Sequence, residues 1–301
     1  MDTRIRPRSQ HTTRHIVTEP RGGGDDVPSK SRNRFGRNLT AAIGVGLLLA
    51  AVVAASLFIV KAVFVAFVVV AVSVAVIELS RALRPAGVRL PLLPLLAGVV
   101  GMLVGAYVGE THALVAALGL TALAVCVGRL PGGREGFVRD VTAGLFVALY
   151  VPFLAAFAML LLREEDGPLR VVVFVAVAVA SDIGGYAAGV LFGRHKLAPT
   201  ISPGKTWEGL AGSTLCCLVA GVAGVVFLLH GSWWAGLVVG AVATVTATLG
   251  DLVESMLKRD IGIKDMGSLL PGHGGVMDRL DSLLPTAVVS WLVLSLLVPV
   301  G

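Results

Sequence analysis

Between Gly250 and Asp281 the sequence gathers six carboxylates, Asp251, Glu254, Asp260, Asp265, Asp278 and Asp281, and four cations, Lys258, Arg259, Lys264 and Arg279, with His273 set among glycines. Basic side chains facing an anionic substrate need no special account. Clustered carboxylates repel such a substrate unless a divalent metal lies between them, as at phosphoryl-transfer sites. The stretch therefore reads as a metal and phosphate site, with a solvated loop carrying ordinary salt bridges as the plain alternative.

Spacing supports the chemical reading. If the stretch opens as a helix, Asp251, Glu254, Ser255 and Lys258 stand at i, i+3, i+4 and i+7 and share one face. Asp278 and Asp281 repeat the i, i+3 step on a second segment. Residues 271–275, PGHGG, suit a sharp return of the chain or a close approach to a phosphate. Two helix faces can in this way bring three aspartates together.

A second polar stretch, SDIGGYAAGVLFGRHKLAPTISPGKTWEG, spans Ser181 to Gly209. Its Gly204-Lys205-Thr206 is not a nucleotide-binding P-loop, because the glycine such a loop requires at position 199 is Pro199 and the preceding segment is an apolar helix rather than a strand. Lys205 is nonetheless placed to meet a phosphate, with Ser202 and Thr206 beside it as hydrogen-bond donors. Asp182 and Glu78 are ionisable groups inside or at the end of apolar segments, where a carboxylate is costly enough to suggest a function. Asp182 is open between a cavity-facing group and a satisfied structural carboxylate. Of the six histidines, only His273 falls in a motif.

Ser255, Lys258, Arg259, Lys264, Asp265, Gly267, Pro271, His273, Gly274, Gly275, Asp278, Arg279 and Asp281 follow the pattern S-x-x-K-R-x4-K-D-x-G-x3-P-x-H-G-G-x2-D-R-x-D. In this the chain resembles the phosphatidate cytidylyltransferase (CDP-diacylglycerol synthase) family, and the Ser181–Gly209 stretch is similar to that family too. The resemblance covers residues 181–281 well. The first half resembles the family only in being multi-spanning. It implies a nucleotidyltransferase that moves the cytidylyl group of CTP onto phosphatidate, releasing pyrophosphate, in phospholipid biosynthesis. For such a reaction the carboxylate cluster makes Asp251, Asp278 and Asp281 the expected Mg²⁺ ligands and catalytic groups, with Lys258 and Arg259 catalytic. Ser202, Lys205, Lys264, Arg279, His273 and Asp182 would bind substrate, and a second, monovalent cation such as K⁺ is compatible with the carboxylate excess. The alternatives are a CTP-dependent lipid kinase and, from another class, a transporter using Glu78 and Asp182 as an ion path.

The elements that must position these residues are apolar. Of 301 residues only 15% are charged, against roughly 25% in a soluble domain, and the mean hydropathy is +0.86. This is the composition of an all-α polytopic membrane protein. Nine apolar segments are expected, at 39–60, 62–79, 90–109, 111–128, 141–162, 170–192, 209–229, 233–250 and 283–300, each near the ~20 residues that cross a bilayer as helix. Glycine steps at Gly101, Gly105 and Gly109, and at Gly185, Gly189 and Gly193, suit close helix contacts in lipid. Cys126, Cys216 and Cys217 lie in apolar segments and form no disulfide framework.

Charge sets the expected orientation. Residues 1–38 carry nine Lys/Arg and four Asp/Glu, so five of the net +6 charges lie in a tail too polar to bury a core, expected to be disordered. A net charge held in that tail does not point to nucleic acid. With the tail in the cytoplasm, thirteen of the remaining Lys/Arg fall on the cytoplasmic side, and only Lys61, Arg163 and Arg170 fall outside. The expected protein is a multi-pass plasma-membrane enzyme and a possible homodimer. A membrane domain over 39–301 would hold a polar active-site cavity at the cytoplasmic face, with the carboxyl terminus outside.

Overall fold

A computed structural model describes residues 54–267 and 274–299 of the chain. The basic tail, Pro271, His273 and Gly301 lie outside the described residues, as does most of the first expected segment, 39–60. Seven described stretches are long and apolar enough to cross a bilayer: α1 (Lys61–Ala86), α2 (Leu92–Gly132), α3 (Phe137–Arg163), α4 (Gly167–Phe192), α5 (Trp207–Leu228), α6 (Trp233–Ile261) and α7 (Met277–Leu297).

The difference from nine has a second source besides 39–60. The expected segments 90–109 and 111–128 merge into α2, which breaks at Glu110 (φ 64°, ψ −165°). In a straight helix Pro94 and Gly128 would be about 50 Å apart, yet a Cβ on Gly128 would lie 2.8 Å from Pro94. Gly98 meets Thr121, Gly101 meets Ala117 and Gly105 meets Ala113 in the same way. Thus α2 is a hairpin of two antiparallel helical arms, and the first glycine step is what lets the arms touch.

The second glycine step acts between elements. Gly184 and Gly185 on α4 lie against Gly212 and Ser213 on α5, and Gly189 lies against Thr206 and Gly209. Ser213 Oγ donates to the Ser181 carbonyl at 2.7 Å, tying the same two helices. Gly221 on α5 meets Gly236 and Gly240 on α6. Where lipid tails are as apolar as the side chains, such backbone contact supplies the packing. It sets α4, α5 and α6 side by side, with Asp182 and Asp251 on neighbouring helices.

The all-helical expectation needs one correction. The loop after α4 folds into a small antiparallel pair, β1 (Lys196–Ala198) and β2 (Ser202–Thr206), registering Lys196 with Thr206 and Ala198 with Ser202. Pro199 and the β-branched Thr200 and Ile201 disfavour a continuing helix there. The polar island also departs from its expected bounds. Helix α6 runs through Asp251 and Lys258 to Ile261, and α7 starts at Met277 with one turn before a break at 281–282.

Contacts at the helix ends sort the cations. At one end Lys61 Nζ donates to the Glu164 carbonyl at 2.7 Å, Arg163 pairs with Glu110 at 2.9 Å, and Arg170 Nη2 donates to the Val298 carbonyl at 2.7 Å. At the other end the α1–α2 and α2–α3 connections meet, where Arg129 Nε binds Asp140 at 2.7 Å and the Arg89 N–H binds it at 3.1 Å. The polar island lies at that second end too, joined to α1 through Glu78.

Candidate active site

Lys205 reaches the site because Thr206 caps α5. Its Oγ1 accepts the Gly209 N–H at 3.0 Å, so β2 ends at the helix start with Lys205 one residue before the cap. Both ends of the β-hairpin are tied. The N–H groups of Arg194 and His195 donate to Glu208, His195 Nδ1 lies 2.6 Å from Glu208 Oε1, and Arg259 Nε donates to the Ile201 carbonyl at 3.3 Å. Held in this way, Lys205 forms an ion pair with Asp251 on α6. The pair lines a cavity of about 210 Å³ with Ser181, Asp182, Tyr186 and Thr206. That volume is below the ~300–1,000 Å³ of sites that swallow a whole small ligand, so it suits the polar part of a larger one.

A second cluster adjoins the first. Lys258 pairs with Glu254 one turn back on α6 and with Asp278 at 3.0 Å. Asp278 also accepts the N–H groups of Gly275, at 2.8 Å, and Met266, at 3.0 Å, closing the turn between α6 and α7 around its carboxylate. Asp281 takes the Ser282 N–H at 2.8 Å. Asp251 and Glu254 lie in its electrostatic range. Asp182 lines the cavity with Asp251 and Lys205 and lies in the electrostatic range of Arg279. Thus Asp182, Asp251, Glu254, Asp278 and Asp281 converge from three helices on Lys205 and Lys258.

Other expected site residues sit at the margin. Arg259 and Arg279 are exposed, and Lys264 stands with Asp265 on the turn after α6. Ser202 opens β2 and is half-buried.

Two residues at the site carried no role in the sequence. Glu254 is 1% exposed and its Oε1 has no hydrogen-bond partner among the described residues. Its place on the Asp251–Lys258 face was the available signal. Tyr150, on the π-helical turn Leu149–Phe153 of α3, buries a hydroxyl with no hydrogen-bond partner among the described residues, in the electrostatic range of Asp251, Glu254 and Asp281. Such turns often mark functional positions, but nothing in the sequence around Tyr150 announces one.

A cation fits this arrangement on chemical grounds. Carboxylates outnumber lysines at the convergence, and Glu254 Oε1 is buried with no hydrogen-bond partner among the described residues. The donors are all oxygen, the set preferred by hard divalent ions. Among the described residues no three such side chains form a ready-made ligand cage, since Lys205 and Lys258 engage Asp251 and Asp278.

Comparison with known proteins agrees with this chemistry. The model of the cytidylyltransferase family matches residues 40–297. A protein of Mycobacterium bovis named phosphatidate cytidylyltransferase is 42% identical over 298 residues, covering 95% of this chain and 97% of its own. One of the same name from Mycobacterium leprae is 44% identical over 285 residues, covering 89% of this chain and 91% of its own. A Haemophilus influenzae protein of that name is 42% identical over 154 residues, half of this chain and 46% of its own.

Proposed function

The chain belongs to the cytidylyltransferase family, and from that membership we propose that it transfers the cytidylyl group of CTP to phosphatidate, forming CDP-diacylglycerol and pyrophosphate. The observation that carries the reading is the convergence of Lys205, Asp251, Lys258 and Asp278, all from the two family-like stretches, at one end of apolar helices.

The chemistry asks little of a base. A phosphomonoester carries about −1.5 to −2 charge at neutral pH and is already a nucleophile. What opposes reaction is repulsion between two polyanions and poor alignment. Lys205 and Lys258 would exchange their carboxylate partners for phosphate oxygens, with Ser202, Lys264, Arg259, Arg279 and His273 completing the phosphate contacts. Asp251, Asp278 and Asp281, with Glu254 beside them, would hold Mg²⁺, and K⁺ suits the remaining carboxylate charge. When bound, Mg²⁺ offsets charge building on the phosphates as pyrophosphate leaves. The 210 Å³ cavity takes the polar groups and leaves the acyl chains in lipid. The charge asymmetry favours a plasma-membrane protein with this end and the amino terminus in the cytoplasm and the carboxyl terminus outside. A homodimer is compatible with it.

The test uses CTP labelled at either the α- or the γ-phosphate, supplied to sealed vesicles of known sidedness containing phosphatidate and Mg²⁺. With the cytoplasmic face outward, α-label should enter the organic phase and γ-label should stay in water as pyrophosphate. γ-Label in lipid would make the protein a kinase, and label from neither position would return the transporter reading. Turnover only with the opposite face outward would reverse the topology.

A further inference from the structure

Glu78 lies on α1, outside both family-like stretches, and nothing in the reaction above uses it. Its side chain is buried at 6% exposure within an apolar helix, where a carboxylate needs strong compensation. One oxygen is compensated from 199 residues away, while Oε1 has no hydrogen-bond partner among the described residues. Glu78 Oε2 accepts the Met277 N–H at 3.0 Å. That amide opens α7, where Val276 offers no capping side chain, so α1 supplies the acceptor that a helix start ordinarily finds locally.

The same carboxylate lies flat on two glycines of the signature. A Cβ on Gly267 would fall 2.2 Å from Glu78 Oε1, and one on Gly275 would fall 2.6 Å from Oε2. Those glycines are therefore small because Glu78 occupies the space a side chain would take. Met277 precedes Asp278, whose carboxylate grips the Gly275 and Met266 amides from the opposite side of the turn. The backbone from Gly275 to Met277 is held between two carboxylates.

We propose that Glu78 is a positioning residue for the reaction. By accepting from Met277 and packing on Gly267 and Gly275, it sets the turn that aims Asp278 and Asp281 at the substrates. Only the kinetic part of this proposal rests on the cytidylyl-transfer reading.

The experiment compares wild type, Glu78→Ala and Glu78→Gln as purified full chains in detergent, by amide hydrogen exchange and by steady-state kinetics. Loss of a cap acceptor should speed exchange across Gly275–Leu280 about tenfold in Glu78→Ala, with the α2 hairpin unchanged. Misplacement of the aspartates should lower kcat about 100-fold while KM for CTP stays within about threefold, because Lys205 is untouched. Glu78→Gln keeps an oxygen that can accept from Met277, so it should regain most of the protection and most of kcat. Unchanged exchange in Glu78→Ala would overturn the proposal. So would acceleration by the same factor in α2, which would make Glu78 a general packing residue, or a Glu78→Gln variant as impaired as Glu78→Ala. If wild type makes no CDP-lipid, the proposed function fails, and the exchange measurements still decide whether Glu78 holds the turn.

Discussion

Asp140 and Glu254 are both buried carboxylates in which an aliphatic stem carries charge into a helical membrane protein, yet their surroundings differ. Asp140, 0% exposed, receives Arg129 Nε at 2.7 Å, Arg139 Nε at 3.1 Å and the Arg89 N–H at 3.1 Å. Arg129 spends its other nitrogens on the Gly133 and Glu135 carbonyls. This clasp joins the α1–α2 and α2–α3 connections and sets two guanidinium groups against one buried carboxylate. Around Glu254 the balance runs the other way, with Glu254 and Asp278 sharing Lys258 and Glu254 Oε1 without a hydrogen-bond partner among the described residues. A saturated network holds a fold, because each lost partner strands a buried charge. An unsaturated one keeps capacity for something that arrives from outside.

The contrast breaks most sharply at Asp251. Asp251→Asn should lower turnover by two to three orders of magnitude, as loss of one charge-stabilising group does elsewhere. It should leave the thermal midpoint in detergent equal to or above that of wild type, since it also relieves repulsion from Asp182 and Asp281. A variant that unfolds earlier and keeps its turnover would put Asp251 in the structural class. Asp140→Ala should do the reverse. It leaves the Arg129 guanidinium buried without its counter-charge, at a cost of about 3 kcal/mol or more, read as a lowered midpoint, while turnover per folded molecule stays near wild type. The smallest effect belongs to the opposite end. Glu110 is 59% exposed in its pair with Arg163, where water and salt screen the attraction. Glu110→Gln should therefore move neither turnover nor midpoint beyond experimental scatter, and a clear loss of stability would show that the bend in α2 depends on the pair.

Some of this protein was determined by its sequence alone. Apolar runs near bilayer length announce membrane helices, and the i, i+3, i+7 placement of Asp251, Glu254 and Lys258 marks a shared helical face, which α6 bears out. Both follow from local periodicity, which a chain displays whatever it packs against. Lys205, expected from its neighbours Ser202 and Thr206 to meet a phosphate, lines the cavity, but its partner Asp251 on α6 was not legible. That pairing depends on glycine contacts between α4, α5 and α6, whose sequence signal says that helices may approach closely and not which ones do. The reversal of α2 at Glu110 was legible, because Glu110, Thr111 and His112 interrupt the apolar run between the expected segments 90–109 and 111–128, and the contacts from Gly98 to Thr121 and from Gly128 to Pro94 set the two arms antiparallel. Glu78 shows the limit most plainly. A carboxylate in an apolar segment is visible in any reading of the chain, but the amide it caps lies 199 residues on, and only tertiary folding decides which distant backbone group compensates a buried charge.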